Sequence, residues 1–533
     1  MFFSAWMATL GMALAMVLAG RSLVHFFQLE SYQFPGYFRT LRRNLRRAVL
    51  PGFILALCGA VLTFVCHLLW PGMDSSGFSL GGLVYLAGMA ACGWGLRRGM
   101  KNEKEKKPLV ITPRVKRLYG VTAVVYTLLL WGVSACFGWR WLWTLALLLP
   151  MWVALAGLLA WPIEKLISEL YFRDAQRILR NRPDLIKIGI TGSYGKTSVK
   201  FILGTLLSEK YQTLVTPSSF NTPMGVTRII RTKLQPSHQV FVAEMGARHV
   251  GDIKEMCRLV HPTYGVLTSV GPQHLDTFKT IERIRDTKFE LMDALPENGC
   301  GFFPDDGAIC RELYDRMGKE KRLCCLHSER DADVWAEDIA VSPQGSSFLL
   351  CTNDGKTPCT TKLLGEHNIQ NILLAATVCF RLGLTARQIS RGIAKLEPVE
   401  HRLQLLPPRG GMSIIDDAFN SNPRGAEAAL RVLAAFPGRR IIITPGMVEL
   451  GAEEEAFNYA FGQKMASSAD IAILVGVRHT APIARGLREG GFPEENIHPV
   501  NSLTDAAALL RTLGRSGDVA LFENDLPDNY TEQ

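Results

Sequence analysis

The sequence predicts an α-helical membrane domain followed by two α/β domains. Three observations predict it. Five stretches without Asp, Glu, Lys or Arg, each long enough to cross a bilayer, crowd into the first 163 residues. From Leu185 onward, short apolar runs alternate with helical patterns. Near Pro398 a second alternation of the same kind begins.

The five stretches are Met1–Gly20, Ala48–Trp70, Ser75–Leu96, Leu118–Trp139 and Trp141–Ile163. The first has no basic start and no small-residue cleavage site before Arg21, so it reads as a retained helix. Only Gly138–Arg140 separates the last two, so a re-entrant hairpin is the alternative there. Pro150 is tolerable in a span.

The formal net charge is +10, which by itself would suit nucleic acid. Its distribution says otherwise. Residues 1–118 hold 15 Lys/Arg against 4 Asp/Glu, and the remainder holds 44 against 45. The excess lies in loops beside apolar stretches, which excludes nucleic acid as the expected partner. Arg21–Arg47 and Arg97–Arg117 are basic, whereas Pro71–Phe78 has no Lys or Arg. The positive-inside bias then puts the N-terminus outside and everything after Ile163 in the cytoplasm of a multi-pass cell-membrane protein, in contact with membrane lipid. The 12 cysteines show no CxxC pair and read as free thiols.

Residues 164–184 follow the membrane domain of 1–163 as an amphipathic tether helix. Ile163, Leu166, Ile167, Leu170, Ile178 and Leu179 recur at helical spacing there. A central domain over 185–397 comes next. Leu185–Thr191, Gln239–Glu244 and Tyr264–Ser269 read as strands, and Thr197–Glu209, Asp252–Leu259 and Ile281–Leu295 as helices. Residues 330–365 suggest a small antiparallel flap. A Rossmann-like C-terminal domain over 398–533 has strands at Ser413–Asp416, Arg440–Thr444, Ile471–Gly476 and Val519–Glu523, and a helix capped by Asn422.

The run "GITGSYGKTSVK" at 189–200 makes the central domain a P-loop domain. A strand ends, glycines let the backbone wrap, and a helix N-terminus aims its N–H groups at phosphate. Gly192, Ser193, Gly195, Lys196, Thr197 and Ser198 would cradle a nucleotide, with the lysine on the β/γ oxygens and the threonine hydroxyl on Mg²⁺. An ordinary glycine-rich turn is the plainer reading of so short a motif. Glu244 closes an apolar strand, where ligand-facing residues of open parallel sheets sit, and could hold a metal beside the loop. Taken alone, His274 after a Gly-Pro turn and Lys288 in a helix carry little information.

Taken together, "TGSYGKTS", "FNTPMGV", "EMGARHVGDI", "HLDTF", "DTKFELM", "GEHNIQNILLAA", "HRLQ", "IDDAFNSNP" and "GMVELG", in that order, resemble the Mur ligases, and among them the MurF branch that adds D-alanyl-D-alanine to peptidoglycan precursors. The resemblance implies ATP and Mg²⁺, with two ions expected. Thr197 and Glu244 would bind the ion that rides with ATP, and His274 would help hold a second. Lys288 matches a lysine that these enzymes carbamylate. Asn368 and Asn371 would face adenine, Arg402 would reach the γ-phosphate on domain closure, and Asp417 would contact the nucleotide; Asn420 and Asn422 belong to the same loop. Lys196, Lys288, His274 and Arg402 are thus the expected catalytic residues. The expected partners are a carboxylate-bearing cell-wall precursor and an amino acid or dipeptide amine.

Two features depart from that pattern. Spans and a tether stand where MurF enzymes carry a soluble domain for the UDP-sugar end, so a lipid-linked precursor becomes a candidate. The family's Gly-Asp-Met is Pro445-Gly446-Met447, and "ALFENDLPDNY" at 520–530 replaces a Lys-Gly-Ser segment, which opens the identity of the amine. A non-catalytic nucleotide-binding scaffold for membrane cell-wall assembly is one alternative, though a scaffold needs no second metal site. A polyglutamate- or cyanophycin-type ligase is another. A transporter fits poorly, because only His67 is ionisable deep in a span.

Overall fold

The computed structural model describes residues 3–30, 32–70, 80–101, 108–218, 220–327, 332–419 and 421–525. The expected outer loop Pro71–Phe78, part of the second basic loop, Asn420 and the end of "ALFENDLPDNY" lie outside them. The chain divides between Glu169 and Leu170 into two compact units.

In the first unit all five apolar stretches are helical where described: Phe3–Ala19, Leu45–Leu69, Leu80–Lys101, Pro113–Phe137 and the run from Trp139 onward. Leu45–Leu69, Pro113–Phe137 and Trp139–Arg180 are long and apolar enough to cross a membrane. Ser4–Ala19 with Arg21–Leu29, bent by 42°, makes a fourth if the pair is one span. The expected third span, Ser75–Leu96, is described from Leu80 onward, and its helix Leu80–Lys101, glycine-rich and ending in Arg97, Arg98 and Lys101, does not reach that measure among the described residues. Its glycines serve packing. A Cβ on Gly93 would stand 2.6 Å from the Ala15 Cα, so this helix and the first one meet nearly backbone to backbone.

The boundary between the last two stretches is Gly138, at φ 88°, followed by a 3₁₀ helix over Trp139–Leu148. The tether is not a separate element. One α-helix runs Leu149–Arg180 through Pro162, so the expected break after Ile163 is absent. Within the first unit, Glu164 of this helix accepts two hydrogen bonds from Arg117, at 2.5 and 2.8 Å. Its far end supplies Phe172, Ala175 and Leu179 to a core of the second unit.

The second unit contains two sheets. The central sheet comprises β1 (Ile186–Thr191), β2 (Thr213–Val215), β3 (Val240–Glu244), β4 (Tyr264–Leu267), β5 (Cys300–Pro304), β6 (Glu320–Cys325), β7 (Val334–Ser342), β8 (Gly345–Thr352) and β9 (Gly355–Thr361), in the order β2-β3-β1-β4-β5-β6-β7-β8-β9. It is parallel as far as β7 and antiparallel thereafter. The expected flap over 330–365 is therefore the edge of the main sheet, joined to it where Cys324 and Cys325 pair with Val334 and Trp335. Both faces are covered. Along β3, Val240 and Val242 enter one core with the helices Lys196–Leu207 and Glu366–Arg381, while Phe241 and Ala243 enter the other. That alternation explains why the strand reads as an unbroken apolar run.

The C-terminal sheet comprises β10 (Gln404–Arg409), β11 (Met412–Asp417), β12 (Arg440–Thr444), β13 (Ile471–Val475), β14 (Ile497–Val500) and β15 (Val519–Glu523), in the order β10-β11-β15-β12-β13-β14. Only β10 is antiparallel to its neighbour. Asn422 caps the helix Pro423–Ala434, its Oδ1 accepting from the Gly425 amide at 2.8 Å. All 12 cysteines are free.

Candidate active site

The P-loop begins where β1 ends. Gly192 has φ 152° and Gly195 φ 78°, and a Cβ on Gly192 would stand 2.1 Å from the Thr268 Oγ1. Only glycine allows the loop to press so closely on the segment after β4. That segment straps it down: the Ser193 amide donates to the Ser269 carbonyl at 2.8 Å, and the Ser193 hydroxyl donates to the Gly271 carbonyl at 2.9 Å. Ser193, almost fully buried, therefore shapes the loop from inside. Gly195 caps the helix Lys196–Leu207, whose first turn holds Thr197 and Ser198 and leaves backbone amides at the loop mouth.

Lys196 folds back over the loop and donates to the Gly192 and Ser193 carbonyls at 2.6 and 2.9 Å. Burial lowers its ammonium to about 8, partly offset by Glu244 and reinforced by Arg402. Glu244 ends β3 with 1% exposure. Its oxygens accept from the Thr197 hydroxyl at 3.1 and 3.2 Å, from Asn221 at 3.2 Å and from Lys200 at 2.9 Å. Lys200 and Asn221 were not singled out from the sequence. Lys200 carries a usable signal, since it lies one helical turn beyond Lys196 and so on the same helix face. Asn221 carries none that is local.

Burial lowers the pKa of both His274 and Lys288, and the Lys196 charge adds to each shift. Lys288 is 2% exposed in the helix Ile281–Asp293, and burial drives its amine well below the ordinary lysine range. Among the described residues no carboxylate forms an ion pair with it. His274 is shifted down by burial and pairs through Nδ1 with Glu449 Oε2 at 2.6 Å. Glu449 is a C-terminal-domain residue within the stretch "GMVELG", to which no role was attached on sequence grounds.

Of the residues expected to face a nucleotide, Asn371 has its Oδ1 against Gly195, so close that a Cβ there would be 2.9 Å away. Asn368 is buried and donates to the Leu364 carbonyl at 2.9 Å. Arg402 stacks on Phe419, its Cζ 4.4 Å from the ring centroid, and donates to the Phe419 carbonyl at 3.1 Å. Burial lowers its pKa against the pull of Asp417 and Glu244, so the Arg402 charge bears on the P-loop carboxylate. Asp417 accepts from the Leu403 amide at 3.1 Å and sits in register with Glu523.

Magnesium fits this donor set only in part. Among the described residues no three His, Cys, Asp or Glu side chains gather. The Thr197 and Glu244 oxygens do converge, and one carboxylate beside phosphate oxygens and water is the usual protein share of a magnesium site.

The description "Mur ligase middle domain" matches residues 190–379, and "Mur ligase, glutamate ligase domain" matches 401–523. The chain is 31% identical over 324 residues to UDP-N-acetylmuramoyl-tripeptide–D-alanyl-D-alanine ligase of Escherichia coli, covering 60% of this chain and 72% of that one. It is 30% identical over 363 residues to the Mycobacterium tuberculosis enzyme of the same name, covering 63% and 69%. The MurF ligase of Thermotoga maritima in complex with ADP superposes with a TM-score of 0.60 at 25% identity, over 67% of this chain and 80% of that one. MurF from Acinetobacter baumannii shares the fold, with a TM-score of 0.62 at 24% identity over 68% and 78%. With a glycine loop at the end of β1, a carboxylate at the end of β3 and both domain descriptions matched in order, the chain belongs to the Mur ligases, the ATP-dependent ligases that form amide bonds.

Proposed function

We propose that the chain is a membrane-tethered, MurF-like ligase that joins an amine to the carboxylate of a peptidoglycan precursor through an acyl phosphate. One observation carries the reading: the Thr197 hydroxyl at the start of the P-loop helix meets the buried Glu244 carboxylate at 3.1 Å, beside a lysine, Lys196, whose charge is felt at His274 and Lys288. The named relatives act on a UDP-linked muramoyl tripeptide and D-Ala-D-Ala, and those are the starting substrates to test.

In this reading Thr197 and Glu244 would hold one magnesium ion with ATP, and His274 with a carbamylated Lys288 would help hold another; magnesium there would supply positive charge against the phosphate oxygens. Lys196 and Arg402 bind the β- and γ-phosphates, and the loop amides cradle them. A substrate carboxylate oxygen attacks the γ-phosphorus, the bond to the bridging oxygen breaks, and ADP leaves. The amine nitrogen then attacks the acyl carbonyl through a tetrahedral intermediate. The bond to phosphate breaks, the nitrogen releases its proton to solvent, and phosphate departs. Docking of the C-terminal domain keeps water from the acyl phosphate. Lys288 suits carbamylation because a neutral buried amine is nucleophilic toward carbon dioxide, and the product is an oxygen ligand.

The first unit supports the tether. On Leu45–Leu69, Phe53, Leu57, Val61, Phe64 and Leu68 form a stripe at helical spacing, each 53–70% exposed. Such a stripe belongs against lipid. With the basic loops inside, the N-terminus lies outside and the ligase domains are cytoplasmic. Spans in place of the UDP-binding domain favour a precursor carried on lipid.

The test is purified full-length protein in detergent with ATP, D-Ala-D-Ala, and either UDP-linked or lipid-linked precursor. ATP turnover should need both carboxylate and amine. Equal turnover of the soluble precursor would remove the lipid assignment, and turnover with neither substrate would remove the ligase.

A further inference from the structure

His274 and Glu449 belong to different domains of the second unit. His274 follows β4 and starts the short helix Leu275–Phe278, while Glu449 lies in the turn after β12. Their side chains are 13% and 15% exposed, and Nδ1 stands 2.6 Å from Oε2. Both residues hold left-handed backbone, at φ 53° and 65°. That conformation is unfavourable for a non-glycine residue, and it persists where surrounding contacts fix it. The contacts here join the two domains. A Cβ on Gly451, also left-handed at φ 63°, would stand 3.5 Å from the Asp276 amide nitrogen, and Arg248 approaches the Glu449 carboxylate at 3.7 Å.

An ionised carboxylate only accepts hydrogen bonds, so the proton between these atoms belongs to the histidine Nδ1. With its proton on Nδ1, shared with Glu449, the imidazole presents its lone pair at Nε2. Histidine metal ligands regularly give their other N–H to a carboxylate in this way, which fixes both tautomer and ring orientation.

We infer that Glu449 is a positioning residue for His274: by accepting the Nδ1–H across the domain junction, it leaves Nε2 as the electron pair offered to magnesium, so the second metal site is complete only when the C-terminal domain is docked. This rests on the ligase reading, in which His274 helps hold that second ion. Glu449 acts through His274 and needs no contact with the nucleotide. Metal binding and domain docking then become one event. A second ion favours the docked form, and an undocked domain leaves the imidazole free to turn.

The experiment counts manganese bound to the full-length protein with a non-hydrolysable ATP analogue, by electron paramagnetic resonance. Wild type should hold two ions and His274→Ala one. Glu449→Ala should keep the first ion and bind the second about 10–100-fold more weakly. Glu449→Gln, whose amide oxygen still accepts the Nδ1–H, should recover most of that loss. If Glu449→Ala fails to fold, Glu449→Asp carries the same test, since its shorter carboxylate no longer reaches the ring and the second ion alone must weaken. Two ions held at wild-type affinity by a folded Glu449→Ala or Glu449→Asp protein would overturn the inference and leave the ligase reading standing. A wild type that holds one ion, or a His274→Ala variant that keeps two, would overturn the two-ion reading and the inference with it.

Discussion

The Lys200 ammonium lies 2.9 Å from Glu244 Oε2, with side-chain exposures of 0% and 2%. Lys200 also donates to the Ser218 carbonyl, and Glu244 accepts from Thr197 and Asn221. The carboxylate expected to face a metal is thus already held by a buried cation and two polar side chains, which fix its direction before any ligand arrives.

Breaking such a pair from one side leaves an uncompensated buried charge, at a cost of about 3–5 kcal/mol. Lys200→Met should therefore lower the thermal midpoint markedly. Glu244→Gln added to it should restore part of the loss, because the lone carboxylate is gone. Unfolding curves of the two single variants and the double variant measure the coupling. Simple additivity would mean that the two side chains do not stabilise each other in solution.

Asp417 and Glu523 pair in register at the carboxyl ends of β11 and β15. Burial pushes Asp417 up to about 7, with the Glu523 charge adding to it and Arg402 opposing. Burial likewise pushes Glu523 up to about 7, against the hydroxyls of Ser421 and Thr444. Folded values above unfolded ones mean that the native state keeps protons the unfolded chain has released. The stability contribution is full below about pH 4 and is lost as pH rises through about 7. Each unit of the gap is worth about 1.4 kcal/mol. Glu523→Gln should flatten the fall in unfolding midpoint across that window and exceed wild type above it. A variant that tracks the wild-type slope would assign the pH dependence to other groups.

What the sequence revealed, and what it hid, follows from how local each signal was. The P-loop was legible because Gly192, Gly195, Lys196 and Thr197 are consecutive and their geometry is made by one strand and one helix. Glu244 was legible as the last residue of an apolar strand. Glu449 was not, because its role exists only once two domains meet. Asn221 was hidden likewise, since its contact with Glu244 joins a loop to the end of a strand far along the chain. The strands over 334–361 looked like a flap because pairing partners cannot be read from alternation alone; Val334 and Trp335 pair with β6, which no local pattern announced. The long helix Leu149–Arg180 was divided at Ile163 because composition changes there while helical geometry does not.

Lys288 offers a chemical test. Its amine is buried, shifted well below the ordinary range, and without an ion-pair partner among the described residues. Reaction with carbon dioxide would convert that amine, which feels the Lys196 charge, into an anion. Protein incubated with ¹³C-bicarbonate should show a carbamate carbonyl signal that Lys288→Ala lacks. Stripping dissolved carbon dioxide should slow amide formation reversibly, and Lys288→Ala should abolish it. Full activity in that variant would end the carbamate assignment.

The apolar stripe on Leu45–Leu69 makes the tether testable apart from the chemistry. Phe64 and Leu68 are 70% and 69% exposed, and Leu57 is 58% exposed in the middle of the helix. In water, five such residues on one face would drive aggregation; in lipid they need no partner. Lysine at the centre of a span costs about 2.5–3.5 kcal/mol on insertion scales. Leu57→Lys should therefore shift protein from the membrane fraction to the soluble or degraded fraction. Lysine in place of Ala56, which is buried against neighbouring helices, should be worse, since there the charge meets protein packing as well. Thr63, buried on the same helix with its hydroxyl given to the Gly59 carbonyl, serves as the control: Thr63→Ala should leave fractionation unchanged. If Leu57→Lys fractionates with membranes as fully as wild type, the exposed face of this helix does not lie in the hydrocarbon, and the tether reading loses this span.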